Sequence, residues 1–140
     1  MNEDFKAMRD ALKRVDFLHH LNFAQLDEFL GSMKQEKAKK GETIIRQGEA
    51  GEKFYIIASG EVSVHVKEGF GKPKKVAVLG DGDFFGEIAL LTDLPRIATV
   101  IAEKNCELFV MSKRNFKKIV VANPGINRII QETMFSRKRK

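Results

Sequence analysis

A chain of 140 residues, 43% of them hydrophobic, suits one domain with a single core. The formal net charge is +6, but four of the basic residues form the run Arg137–Lys140; that run reads as a solvated tail or the edge of a longer protein, or else as a nucleic-acid or anionic-lipid patch. A lone cysteine, Cys106, excludes an internal disulfide and suits a reducing compartment, while the charged start Met1-Asn2-Glu3-Asp4 and the lack of a long apolar run exclude a secretory signal and a membrane-spanning segment, so a cytoplasmic protein is expected.

Phe5, Met8, Leu12 and Val15 recur at helical spacing between charged residues and predict an amphipathic helix. A second helix starts at Asn22 as N-cap with Gln25 three residues on, and carries Leu26, Phe29, Leu30 and Met33 along one face. His19 and His20 lie between the two helices, and adjacent residues diverge on a helix, which argues against a shared metal.

From Lys39 the pattern changes to short apolar runs punctuated by glycine. Thr43 to Arg46, Lys53 to Ala58, Glu61 to Lys67 and Lys75 to Leu79 read as strands, with the turn Gly69-Phe70-Gly71-Lys72-Pro73 between the last two. Ala98 to Ala102 and Glu107 to Met111 continue the sheet. About eight short strands in this rhythm predict an antiparallel sandwich or jelly-roll barrel, flanked by helices at both ends, in the α+β class. The last third returns to helix: Ser112 is the N-cap of a helix carrying Phe116, Ile119 and Val120, and Asn123-Pro124 restarts another. Ile126, Ile129, Ile130, Thr133 and Met134 stripe that final helix, a pattern that serves either as core packing or as a lid.

The chemistry concentrates in Phe85-Gly86-Glu87-Ile88-Ala89-Leu90-Leu91 and, after a short loop, Pro95-Arg96-Ile97-Ala98-Thr99-Val100. Gly86 has no side chain to keep a ligand from its backbone, and good helix formers follow it. The first turn of a helix presents unpaired N–H groups at the positive end of its dipole, which suits phosphate. Arg96 adds a planar fork of donors for two phosphate oxygens. Glu87 repels phosphate and makes sense as the acceptor of a neighbouring sugar hydroxyl. Together these groups describe a ribose phosphate better than free phosphate.

These residues resemble the cyclic nucleotide-binding domains of cAMP-dependent kinase regulatory subunits, cyclic nucleotide-gated channels and bacterial cAMP-receptor regulators. Their phosphate-binding cassette reads roughly F-G-E-[LIM]-A-L followed by P-R-[TSA]-A-[TS]-[VI], and here F-G-E-I-A-L-L-T-D-L-P-R-I-A-T-V stands at 85–100. Gly41 to Glu49, Phe54 to Ile57 and Ser59 to Val62 are also similar to the family's opening strands. The resemblance implies an eight-stranded antiparallel β-roll within a single domain, 1–140: N-terminal helices over 1–38, the roll over 39–111 and hinge and lid helices over 112–137.

It further implies that the cyclic phosphate sits on the N–H groups of Ile88, Ala89 and Ala98 and on Arg96, that Glu87 accepts from the ribose, and that the Gly86 backbone lies against the sugar. By the same resemblance Val64 and Ala77 face the base, and Met134 or Phe135 of the last helix nears the purine. Where many relatives carry alanine or threonine after the cassette arginine, this chain carries Ile97, which offers no hydroxyl to a guanine. The expected ligand is therefore cAMP rather than cGMP, with no cofactor and no metal.

Asp81, Asp83 and Glu87 lack the spacing of a calcium loop, and no nucleophile set or Walker loop appears, so an enzyme is not expected. No DNA-reading helix remains after the roll, which disfavours nucleic acid as a partner. The expected function is a cyclic nucleotide sensor whose C-terminal helices move on binding to regulate a protein partner or an attached effector domain. The alternative is a ligand-free protein-interaction module on the same fold.

Overall fold

The computed structural model describes residues 22–86, 94–128 and 131–132. Helix α1 (Phe23–Gly31) begins at the expected Asn22 with a complete capping box: the Asn22 side chain accepts from the Gln25 N–H at 2.8 Å, and the Gln25 side chain accepts from the Asn22 N–H at 2.9 Å. Eight strands follow: β1 (Met33–Ala38), β2 (Thr43–Ile45), β3 (Lys53–Ser59), β4 (Val62–Val66), β5 (Lys74–Leu79), β6 (Phe84–Phe85), β7 (Thr99–Ala102) and β8 (Cys106–Ser112). Helix α2 (Lys113–Ala122) starts on the Ser112 side chain, which accepts from the Asn115 N–H, and 124–128 is again helical.

The strands form two four-stranded antiparallel sheets, one in the order β1-β8-β3-β6 and the other β2-β7-β4-β5. The expected antiparallel β-roll is present as two facing ladders, with no single closed barrel among the described residues. Met33 is not the end of a helical stripe. It opens β1, within the stretch expected to be helical, and pairs with Met111. The first predicted helix, at Phe5 to Val15, lies outside the described residues.

Strand β3 shows how alternation organises the core. Successive side chains of a strand point to opposite faces. Phe54, Ile56 and Ala58 join Phe29, Leu30, Phe109, Met111, Phe116, Ile119 and Ile126 in a cluster between the first sheet and the helices. Tyr55 and Ile57 face the other way, joining Ile45, Val62, Phe85, Val100, Leu108 and Val110 between the two sheets. Strand β6 divides in the same manner, with Phe84 in the helix-side cluster and Phe85 in the inter-sheet one. The two helical ends are tied by a polar link, since the Gln25 amide donates to the Asn123 side chain at 2.6 Å and the buried Asn123 in turn donates to the Ile119 carbonyl.

Candidate functional site

The sequence motif begins at β6 in the first sheet and ends at β7 in the second. Its start is fixed by aromatic packing. Phe85 stacks on Tyr55 with centroids 4.8 Å apart and planes 6° from parallel, while Phe84 packs on Phe54 at 5.6 Å. Gly86 follows with φ of +89°, a conformation that side chains rarely adopt.

The reason for glycine is more specific than freedom for a ligand. A Cβ at Gly86 would lie 2.9 Å from Arg96 Nη1, 3.0 Å from the Lys53 carbonyl oxygen and 3.4 Å from the Tyr55 ring. The close approach is therefore made by Arg96. Its Nη1 donates to the Gly86 carbonyl at 2.6 Å and its Nη2 to the Lys53 carbonyl at 2.7 Å. Arg96 is only 8% exposed, a rare state for an arginine unless its charge is well satisfied. Hydrogen bonds to charged donors are about twice as strong as neutral ones, so these two carbonyls set the orientation of the guanidinium. Five N–H groups on one guanidinium allow further partners beside them.

The backbone around Arg96 is held as firmly as its side chain. The Gly48 N–H donates to the Arg96 carbonyl and the Arg96 N–H to the Glu49 carbonyl, both at 2.8 Å. Next to this pair, the Gln47 N–H donates to Thr99 Oγ1 at 3.0 Å. The Gly48-Glu49 turn and the returning cassette thus hold one another.

The residues expected at the base form a row on the second sheet. Val64 of β4 pairs in register with Ala77 of β5 on one side and Val100 of β7 on the other. Paired residues share a face. Val100 is buried, Val64 is half-buried against the inter-sheet cluster, and Ala77 on the edge strand is exposed. The row therefore climbs from the interior to an open rim. Ile97, the residue that departs from the family pattern, is 47% exposed at the cassette return, and Ala98 beside it is half-buried. Glu87, Ile88, Ala89 and Met134 lie outside the described residues.

The acidic turn before β6 serves the backbone. Asp81 Oδ1 accepts from the Gly60 N–H at 2.9 Å and Asp83 Oδ2 from the Gly80 N–H at 2.8 Å. No group of metal-ligating side chains occurs among the described residues. Lys53, Tyr55 and Gln47 are contributions that the motif did not announce. Tyr55 had one signal, being the only tyrosine of the chain, set in an apolar strand. Burial raises its phenol above the ordinary value.

Comparison with known proteins settles the family. The cyclic nucleotide-binding domain profile matches residues 35–123, most of the chain. This chain belongs to the cyclic nucleotide-binding domain family. It is 37% identical over 109 residues to a cAMP-dependent protein kinase regulatory subunit of Yarrowia lipolytica, covering 78% of this chain and 28% of that protein. It is 34% identical over 120 residues to a cGMP-dependent protein kinase of Caenorhabditis elegans, covering 84% of this chain and 15% of that one.

Among solved structures, the regulatory domain of Toxoplasma gondii protein kinase A with cAMP superposes with a TM-score of 0.77 at 31% identity, over 85% of this chain and 45% of that one. The regulatory subunit of a cAMP-independent protein kinase A from Trypanosoma cruzi, bound to guanosine, superposes with a TM-score of 0.79 at 29% identity, over 87% and 44%. The chain spans less than a third of the length of these kinase relatives. As a member of this family it is a non-catalytic cyclic nucleotide-binding domain of regulatory type.

Proposed function

We propose that this domain binds cAMP in preference to cGMP at the cassette and transmits occupancy through its C-terminal helices to a protein partner or an attached effector domain. The observation that carries the reading is Arg96: a buried guanidinium, oriented by two carbonyls and flanked by a glycine that leaves it room. The cyclic phosphate is a monoanion that fits such a fork. Ile88, Ala89 and Ala98 offer N–H groups to the same phosphate, Glu87 accepts from the ribose, and Val64 and Ala77 meet the base at the open rim.

Ile97 supports the choice of base, because an apolar side chain gives a guanine no hydrogen-bond partner. The cGMP-dependent relative and the guanosine-bound structure make guanine ligands the comparison to run.

The route outward is a column of rings. Phe84, one residue from Phe85 and two from Gly86, packs on Phe54, and Phe54 stacks on Phe116 of α2 with centroids 4.7 Å apart. A shift of the cassette on binding reaches α2 through two contacts, and the ligand controls the partner only to the extent that it prefers one arrangement of these helices. Met134 of the last helix closes over the purine. In a competition titration on nucleotide-free protein, cAMP displaces a fluorescent cyclic nucleotide at lower concentration than cGMP or guanosine does. Displacement in the reverse order would overturn the assignment of the base.

A further inference from the structure

The hairpin joining β4 to β5 carries a combination that neither the fold nor the nucleotide site uses. Its sequence over 67–75 is Lys-Glu-Gly-Phe-Gly-Lys-Pro-Lys-Lys, and all nine positions are exposed. Phe70 stands at the apex of a turn closed by the Gly71 N–H donating to the Glu68 carbonyl, and its relative exposure is 107%. A phenylalanine in that position buries nothing in this fold and costs solubility. Glycines on either side leave the ring unobstructed. The stretch 67–75 carries four lysines, Lys67, Lys72, Lys74 and Lys75, and one acid of its own, Glu68.

The hairpin is also braced at its base. Gln47 grips the Lys67 backbone from both sides, accepting from the Lys67 N–H and donating to the Lys67 carbonyl, each at 2.9 Å. Lys75 is fixed on the outer face by Glu103 at 3.0 Å.

We propose that this tip docks on an anionic lipid surface, with Phe70 entering the headgroup boundary and Lys67, Lys72 and Lys74 supplying positive charge to lipid phosphates. The charge is complementary to such a surface and the shape suits it. A protein interface is built on a cluster of apolar anchors in a packed core, and here one ring stands alone on a narrow turn. A single-stranded nucleic acid would need a groove with successive stacking platforms, which one apical ring does not supply. An interfacial aromatic with lysines at phosphate level needs only what is present.

The test is co-sedimentation of the full chain with vesicles of phosphatidylcholine alone and of phosphatidylcholine with phosphatidylserine, over a series of salt concentrations. Binding is expected only to the anionic vesicles and weakens with salt. Phe70→Ser reduces partition by about tenfold or more. Lys72→Glu combined with Lys74→Glu reduces it by at least about fivefold per lysine. Both variants keep the wild-type melting temperature, since none of the three positions is buried. Equal binding to neutral vesicles, or none to anionic ones, overturns the proposal. So does binding that both variants leave intact, which would place it on another basic segment such as 137–140. Capture by duplex DNA or polyglutamate that exceeds vesicle binding and survives Phe70→Ser assigns the lysines to a different polyanion and overturns it equally.

Discussion

The two hydrophobic clusters share β3 and yet are built differently. The helix-side cluster is rich in aromatics, with Phe29, Phe54, Phe84, Phe109 and Phe116, and it is sealed by α1, α2 and Ile126. The inter-sheet cluster is made mostly of Ile, Val, Leu and Ala, and at its margin Ile44, Val64 and Leu79 are only partly buried. One side of the first sheet is closed and holds the helices, and the other opens toward the cassette. The large rings link the first sheet to the helices, while the smaller side chains of the other cluster end in partly buried residues at its margin. Tyr55 and Phe85 are the exceptions: they stack on one another, and the Tyr55 ring lies 3.4 Å from where a Cβ on Gly86 would stand.

This contrast can be broken or sharpened by mutation. Phe54 is fully buried at the centre of the ring column, so Phe54→Ala should destabilise the fold by about 3–5 kcal/mol in urea unfolding. A loss below about 1 kcal/mol would mean that the helix-side cluster is not the sealed half.

Gly86→Ala should behave in the opposite way. Positive φ and a Cβ 2.9 Å from the guanidinium combine to strain the site by about 1–3 kcal/mol, and the strain falls on Arg96 rather than on either cluster. Calorimetry should then register about a tenfold or greater loss of cAMP affinity, with a modest change in melting temperature. A large drop in stability with affinity retained would make Gly86 a purely structural glycine.

The smallest expected effect lies on the outer face of the second sheet. A hydrogen bond from Ser63, with Lys75 close by, holds the Glu103 carboxyl below its ordinary value of 4.5. A depressed folded-state value means that the stabilisation is present above the unfolded-state value and is lost as pH falls through the lowered one. Glu103→Gln should therefore melt slightly below wild type near neutral pH, and the difference should vanish in acid. A difference that grows in acid would reverse the sign and refute the account of that cluster.

Much of the architecture was legible because it rests on local chemistry. Asn22 with Gln25, Ser112 as a cap and the apolar runs of β3, β4 and β8 all announce themselves within a few residues. Strand β1 did not, because Lys34 to Lys37 read as a polar surface and only the ends, Met33 and Ala38, are buried. It is an edge strand whose identity comes from pairing with β8, a partner more than sixty residues away. Strand β6 has two residues and no period to detect.

The site divides along the same line. Gly86 and Arg96 were visible as a motif, with glycine read as access for a ligand. That the same glycine makes room for the arginine depends on a fold-back across ten residues and on the Lys53 carbonyl, which no side-chain pattern reveals. The alignment of Val64, Ala77 and Val100 across three strands is likewise a matter of register. Asp81 and Asp83 lacked the spacing of a calcium loop, but the use of their carboxylates to accept from the Gly60 and Gly80 N–H groups follows from the turn and not from the sequence.

The central claim is that Arg96 is the phosphate anchor of a cyclic nucleotide site. Isothermal titration of cAMP into nucleotide-free wild type and into Arg96→Leu, with both proteins confirmed folded by thermal melting, tests it most directly. Saturable binding to wild type and a loss of about 2–5 kcal/mol in the variant is the predicted result, because removing one partner of a desolvated charge pair leaves the other uncompensated. Equal affinity in the two proteins, or no binding to wild type, would contradict it.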